Sequence, residues 1–336
     1  MNALITGGAG FIGSYLSESL LNQGNSVNIV DDLSTGQIEN IAHLQEHARF
    51  RYINGSVVDE PLMNDLVKEC DVIFHLAAAV GVHLILQDPV RVIETNVLGT
   101  HTVLKMANRY DKKVLVASTS EIYGKNNQMP FREEDDRILG PTTKSRWSYS
   151  TSKAVDEVLG LAYHKQLGLP VVIFRLFNTI GPRQSRMYGM VVPRFVDQAL
   201  KSEPLSVYGD GLQSRCFCDV TDTVRGIISL AESPDAVGQV FNIGSSDEVT
   251  MLELAHRVIR VVDPMVTKED IDDRIALVPY DQAYEQGFED MQRRVPDTSK
   301  IESLTSWQPR VQLDETLYSI ARAQRERLRG SGTRLS

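Results

Sequence analysis

The chain has 336 residues, 42% of them hydrophobic, which suffices for two domains of roughly 150 residues each with an ample core. A net charge of −9 argues against general nucleic-acid binding, and no apolar run reaches the ~18 residues of a membrane span. Cys70, Cys216 and Cys218 form neither a disulfide framework nor a zinc set. With Met1 leading straight into a strand, the expectation is a cytoplasmic protein without signal peptide, disulfides or metal.

Asn2-Ala3-Leu4-Ile5 reads as a buried strand. Gly7, Gly10 and Gly13 follow at three-residue spacing, and Phe11 to Gln23 reads as an amphipathic helix. Strand, glycine turn and helix make the setting of a dinucleotide fingerprint, in which backbone and helix N-terminus approach a pyrophosphate closely. A second strand, Ser26 to Val30, ends at Asp31-Asp32. A carboxylate there suits the ribose 2′-hydroxyl of NAD and repels a 2′-phosphate. No arginine follows until Arg49, so NAD is expected over NADP.

A third strand at Phe50 to Asn54 precedes a helix around Pro61 to Glu69. A fourth, Val72 to Leu76, runs into Ala77-Ala78-Ala79, and a long helix spans about Pro89 to Tyr110. The fifth strand, Val114 to Ala117, leads to Ser118-Thr119-Ser120-Glu121, followed by a charged, proline-bearing loop to about Trp147. A helix bearing Tyr149 and Lys153 precedes the sixth strand, Val171 to Phe174. The alternation predicts an α/β fold with a doubly wound parallel sheet (Rossmann) and ligands at the strand C-termini. Tyr149 and Lys153, four apart, share one helix face. An ammonium there lowers the pKa of the phenol, which can take a proton from a sugar hydroxyl while hydride leaves for a nicotinamide.

After Phe177 the segments shorten and arginines recur: Arg183, Arg194, Arg215, Arg293 and Arg294. A region that holds a diphosphate needs such fixed cations, and Arg215 stands out within an otherwise apolar strand. Cys216 and Cys218 read as alternate, partly buried residues of that strand. The division expected is 1–177 for the dinucleotide, 178–322 mainly for a smaller C-terminal α/β substrate-binding region, and 323–336 as a basic tail. Arg322, Arg325, Arg327, Arg329 and Arg334 are read as a solvated, frayed end.

The pieces Thr6 to Gly13, His75-Leu76-Ala77-Ala78, Asn96 to Thr100, the Tyr149/Lys153 pair, Phe177 to Arg183 and Val207 to Gly211 resemble the extended short-chain dehydrogenases that modify nucleotide sugars. The resemblance runs from about Met1 to Pro309. It implies a tightly held NAD contacted by Gly7, Gly10, Phe11, Ile12, Gly13, Asp31, Asp32, Leu76, Ala77, Ala78 and Asn96, together with Tyr149 and Lys153. It also implies oxidation at sugar C4, a UDP-sugar substrate held by Asn178, Arg183, Tyr208, Arg215 and Arg294, and a homodimer through helices 89–106 and 149–164. One departure is Ser56, where the family commonly has Asp to hold adenine.

Within the family, Thr119-Ser120-Glu121 and Arg294-Val295-Pro296-Asp297 are similar to UDP-glucuronate decarboxylases, with Arg294 implied beside the sugar carboxylate. The expected catalytic set is therefore Tyr149, Lys153, Thr119, Ser120, Glu121 and Arg294. Segment 75–83 lacks the proline-serine character of that subfamily, and Gly140 to Trp147 is longer than usual. A UDP-hexose 4-epimerase is the alternative, and a non-catalytic NAD-binding regulator the third reading.

Overall fold

The computed structural model describes residues 1–81, 88–185, 190–283 and 291–330. The first half lays down β1 (Asn2–Thr6), α1 (Phe11–Asn22), β2 (Ser26–Asp31), β3 (Phe50–Asn54), α2 (Glu60–Glu69), β4 (Val72–His75), α3 (Pro89–Arg109), β5 (Lys113–Thr119), α4 (Ser148–Leu167) and β6 (Val171–Leu176). Local chemistry sets the helix ends. Asp59 caps α2 by accepting from the Leu62 amide at 3.1 Å, and Asp88 caps α3 by accepting from Arg91. Gly168 closes α4 at φ +76°, a left-handed conformation that favours glycine.

The second half contributes β7 (Thr179–Ile180), α5 (Val191–Leu200), β8 (Leu205–Tyr208), β9 (Ser214–Cys216), β10 (Cys218–Asp219), α6 (Val220–Glu232), β11 (Val240–Ile243), β12 (Glu248–Thr250), α7 (Met251–Val262), β13 (Ile275–Val278) and α8 (Leu313–Gly330). The main sheet has seven strands in the order β11-β6-β5-β4-β1-β2-β3, every pairing parallel. Its central strands are buried on both faces, so they read as continuous apolar runs rather than alternations. Ala3, Leu4 and Ile5 of β1 and Ile73 and Phe74 of β4 are each 0% exposed. The strand order reverses between β1 and β4, which opens a crevice at their C-terminal ends.

A second core gathers Val192, Phe195, Val196, Leu254, Val258, Leu317 and Ile320 under α5, α7 and α8. It is laced by three two-stranded pairings: β7 with β10, β8 with β13, and β9 with β12. A cut at 177 does not partition the sheet, because β11 pairs along β6. Val220, Val224 and Ile227 of α6 share the core of α1 and β1.

Two sequence expectations change. Residues 323–330 are not a frayed tail but the end of α8. Ala321 and Gln324 are buried, Leu328 packs on the second core, and Arg325 donates to the Val262 carbonyl at 3.2 Å. The helical period of apolar and small residues continues past the point where charge dominates the composition. Arg334 lies outside the described residues. Cys216 and Cys218 sit on successive short strands rather than one, both fully buried, and burial pushes each thiol up to about 12. Among the described residues, no helix is long and apolar enough to cross a membrane.

Candidate active site

A cleft of about 460 Å³ runs along the C-terminal edge of the sheet, between the strand ends and the second core. On the sheet side lies the glycine loop. Gly7 has φ +71°, and a Cβ there would stand 2.8 Å from the Ala77 amide nitrogen; one on Gly13 would stand 2.3 Å from the Gly7 carbonyl oxygen. The loops after β1 and β4 therefore touch through bare backbone, which only glycine permits. A Cβ on Gly10 would meet only the Gly7 oxygen, at 3.1 Å, and Gly10 lines the cleft. α1 has no side-chain cap and no acid in its first turn, so the end that carries partial positive charge faces the cleft without a carboxylate of its own.

Asp31, at the end of β2, accepts from the amides of Ala9 at 3.0 Å and Leu33 at 2.8 Å. Burial raises its carboxyl above the ordinary value against those amides. Asp32 also lines the cleft and accepts from the Ser34 amide. Arg49 is tied to the Gly24 carbonyl at 2.6 Å, so it brings no cation to the Asp31 end. A glycine cradle, an uncapped helix end and a carboxylate fit a dinucleotide with a free ribose 2′-hydroxyl. Phe11, Ile12, Gly13, Ser56, Leu76, Ala77 and Ala78 line the same wall. Asn96 is different. It is buried behind the wall, bonding Ala79 through both amide atoms and donating to Ser152 Oγ at 3.1 Å, and so it clamps the β4 loop to α4.

Tyr149 and Lys153 rise from the first turns of α4 at the centre of the cleft, with Thr119 and Ser120 from the end of β5. The Thr119 hydroxyl faces the Tyr149 phenol and favours its ionised form. The expected lowering of the phenol's pKa is not found here. Burial raises it, the Glu121 and Asp156 carboxylates add to that, and Thr119 and Arg294 only partly oppose them. The Lys153 ammonium is turned to Asp156 Oδ2 at 2.7 Å.

Glu121 is not a surface carboxylate, since its side chain is 13% exposed. Arg146 Nη1 reaches one of its oxygens at 2.5 Å and Arg294 Nη1 lies 3.8 Å from the other. Burial pushes Glu121 up, but Arg146, Arg294 and Arg215 outweigh it and hold the carboxyl below its usual value. Arg294 also donates to Ser120 Oγ at 3.3 Å. Arg146, three residues before Tyr149, was invisible in the sequence, where its segment stood out only by its length. The signal was positional, because a residue one turn ahead of a helix-start tyrosine lies on the same side of it.

On the far wall, Arg215 is buried on β9 and donates to the Ser214 and Gln292 carbonyls. Arg183 bonds Glu18 at 2.7 Å and stacks on Tyr15. Arg194 lies 4.1 Å over the Tyr208 ring. Asn178 and Arg183 have φ +28° and +70°, unusual for residues with a Cβ; Asn178 donates to the Cys216 carbonyl at 2.9 Å. Arg293 diverges from Arg294 and pairs with Glu248 at the rim. Among the described residues, no group of three His, Cys, Asp or Glu side chains is placed to hold a metal ion.

The chain resembles known proteins along nearly its whole length. The chain is 41% identical over 324 residues to a UDP-N-acetyl-alpha-D-glucosaminuronate decarboxylase of Bacillus cytotoxicus, covering 96% of this chain and 97% of that one. It is 38% identical to UDP-glucuronic acid decarboxylase 1 of Arabidopsis thaliana, covering 98% and 71%. The fold matches a UDP-glucuronic acid 4-epimerase from Bacillus cereus, solved with UDP-glucuronic acid and NAD, with TM-score 0.85, 26% identity and 97% and 99% coverage. Residues 4–320 match the family described as GDP-mannose 4,6 dehydratase, and the chain belongs to that family of extended short-chain dehydrogenases.

Proposed function

We propose that the protein is an NAD-dependent decarboxylase of UDP-glucuronate, giving UDP-xylose or its 4-keto precursor. One observation carries this reading. Two guanidiniums, Arg146 and Arg294, bracket the single carboxylate of Glu121 beside Tyr149. That corner gathers two guanidiniums in a buried place, which suits a sugar carboxylate. A neutral hexose has no use for it. The relatives at 38–41% identity point the same way.

The residues divide the work as follows. Gly7 to Gly13, Asp31 and the Leu76 to Ala78 wall hold NAD, which when bound supplies the hydride acceptor for C4. Tyr149 takes the proton from the C4 hydroxyl, with Thr119 orienting the phenol. The resulting ketone makes the C5 carboxylate a β-keto acid, so the bond to carbon dioxide breaks and its electron pair passes to the C4 oxygen. Tyr149 and Thr119 stand where that charge develops and can return the proton. Arg294 anchors the carboxylate, and Glu121 keeps both guanidiniums in place. Arg183, Arg215, Asn178 and Tyr208 hold the diphosphate and nucleoside.

Incubation with UDP-glucuronate, read by mass and proton NMR, tests this: loss of one carbon dioxide is expected. An unchanged mass with C4 inverted would establish the epimerase, and bound NAD without turnover of any sugar nucleotide the non-catalytic regulator. The relative at 41% identity favours UDP-N-acetylglucosaminuronate as a second substrate, and the same assay includes it.

Two copies pair through α3 and α4. Val90, Ile93, Val155 and Val158 on these helices are 64%, 44%, 42% and 66% exposed, and an apolar strip of this kind is commonly covered by another chain. Val158→Glu is expected to shift the sedimentation profile toward monomer. Three free, buried cysteines suit the cytoplasm.

A further inference from the structure

The proposed chemistry makes no use of Asp156. Its carboxylate accepts from Lys153 Nζ at 2.7 Å, and the two side chains are 0% and 3% exposed. Tyr149, Lys153 and Asp156 are spaced four and three along α4, so they form one line on a single helix face. The other oxygen, Oδ1, is buried without a hydrogen-bond partner. A buried carboxylate with half its capacity unmet is costly.

The surrounding groups leave Asp156 as the counter-charge to Lys153. From β4, His75 bonds Thr6 and Thr100 through its two ring nitrogens; burial and the Lys153 charge push its pKa down to about 3, so it is neutral there. α3 contributes the uncharged Asn96 and Thr100. Behind the line, Arg175 and Glu157 neutralise each other in a bidentate pair. Glu121 lies between the guanidiniums of Arg146 and Arg294, and the three come from the end of β5 and the segments before α4 and after 290 rather than from the Lys153 line.

We propose that Asp156 is a positioning residue: it fixes the Lys153 ammonium and offsets its charge, and so sets the pH at which Tyr149 ionises. The inference rests on reading Tyr149 and Lys153 as the proton-handling pair. Removing a buried anion near a phenol favours the phenolate. Tyr149 in Asp156→Asn therefore ionises at lower pH, by about one unit, a tenfold change in its ionisation constant. The acidic limb of kcat moves down with it while KM stays put.

The decisive measurement needs no sugar turnover, so it stands apart from the choice of substrate. Protein saturated with NAD and labelled with carbon-13 at the tyrosine carbon bearing oxygen is titrated by NMR. Tyr149→Phe identifies the Tyr149 signal among the 11 tyrosines. The expected result is a lower midpoint in Asp156→Asn and a wild-type midpoint in Asp156→Glu. Should Asp156→Asn not fold, Asp156→Ser is read in the same way. Equal midpoints in a folded, NAD-binding variant and wild type overturn the proposal and leave Asp156 a structural partner of Lys153 only.

Discussion

The two walls of the cleft are built by opposite means. The sheet side is made of backbone. Glycines allow the loops after β1 and β4 to touch, and Asp31 supplies the charged side chain at its far end. The far side is made of guanidiniums, each with an acceptor inside the protein: Arg183 with Glu18, Arg194 with the Ser206 carbonyl, Arg215 with the Ser214 carbonyl, Arg146 with Glu121, and Arg294 with Ser120. The first wall selects by shape and so resists added atoms. The second selects by charge and so resists the loss of a cation.

The largest expected effect falls at the seam. Tyr149→Phe removes the hydroxyl that serves both sides, and kcat should fall by about 10²–10⁴ while NAD still copurifies; turnover at the wild-type rate would break the assignment. Arg294→Ala tests the charged wall. Loss of a charge-assisted contact of roughly 1.5–3 kcal/mol should slow carbon dioxide release about ten- to a hundredfold, with UDP binding by calorimetry little changed. An equal fall in UDP affinity would move Arg294 from the sugar to the diphosphate.

Gly13→Ala tests the shaped wall. Its new Cβ would lie 2.3 Å from the Gly7 oxygen, and overpacking against backbone typically costs about 1–3 kcal/mol. Dinucleotide should no longer survive purification, whereas UDP binding should persist; retained NAD would show that the loop yields. The mildest test concerns His75, beneath the shaped wall. The unfolded chain takes up a proton near the ordinary histidine value of 6.5 that the native ring refuses until about 3. Stability supplied by the neutral ring is thus complete above that unfolded value and drains as pH falls. Between pH 7 and 5 the wild type should lose about 2 kcal/mol more than His75→Asn, read by urea unfolding at each pH; parallel losses would place the ring in contact with water.

The same contrast decides what could be read from the sequence. The shaped wall is local: glycines at three-residue spacing, a strand before and a helix after, and Asp31 one strand later. β1 to β6 and the Tyr149/Lys153 pair were legible because each lies within one element. The charged wall is assembled across great separations, as Ser120 and Arg294 meet over 174 positions, and no period or spacing encodes that. Family resemblance supplied Arg294, but Arg146 had no motif to announce it. The lowered Tyr149 pKa failed for a related reason: spacing places Lys153 on the correct face, but it says nothing of the burial and of the Glu121 and Asp156 carboxylates that raise the phenol. The α8 end was misread because composition outweighed the continuing period of Ala321, Gln324 and Leu328.

The pairing of β11 with β6 restricts how the molecule can be rebuilt. A fragment ending at 177 would strip β6 of its neighbour and leave a row of unpaired amides and carbonyls along Val171 to Leu176, four of whose residues are 0% exposed in the intact protein. Such an open, apolar border invites self-association. The C-terminal half is therefore not a cassette to be grafted at 177. Grafts that re-aim this scaffold toward other sugars belong in the segments around 190–216 and 245–280, which lie outside the seven strands of the main sheet and leave its border paired.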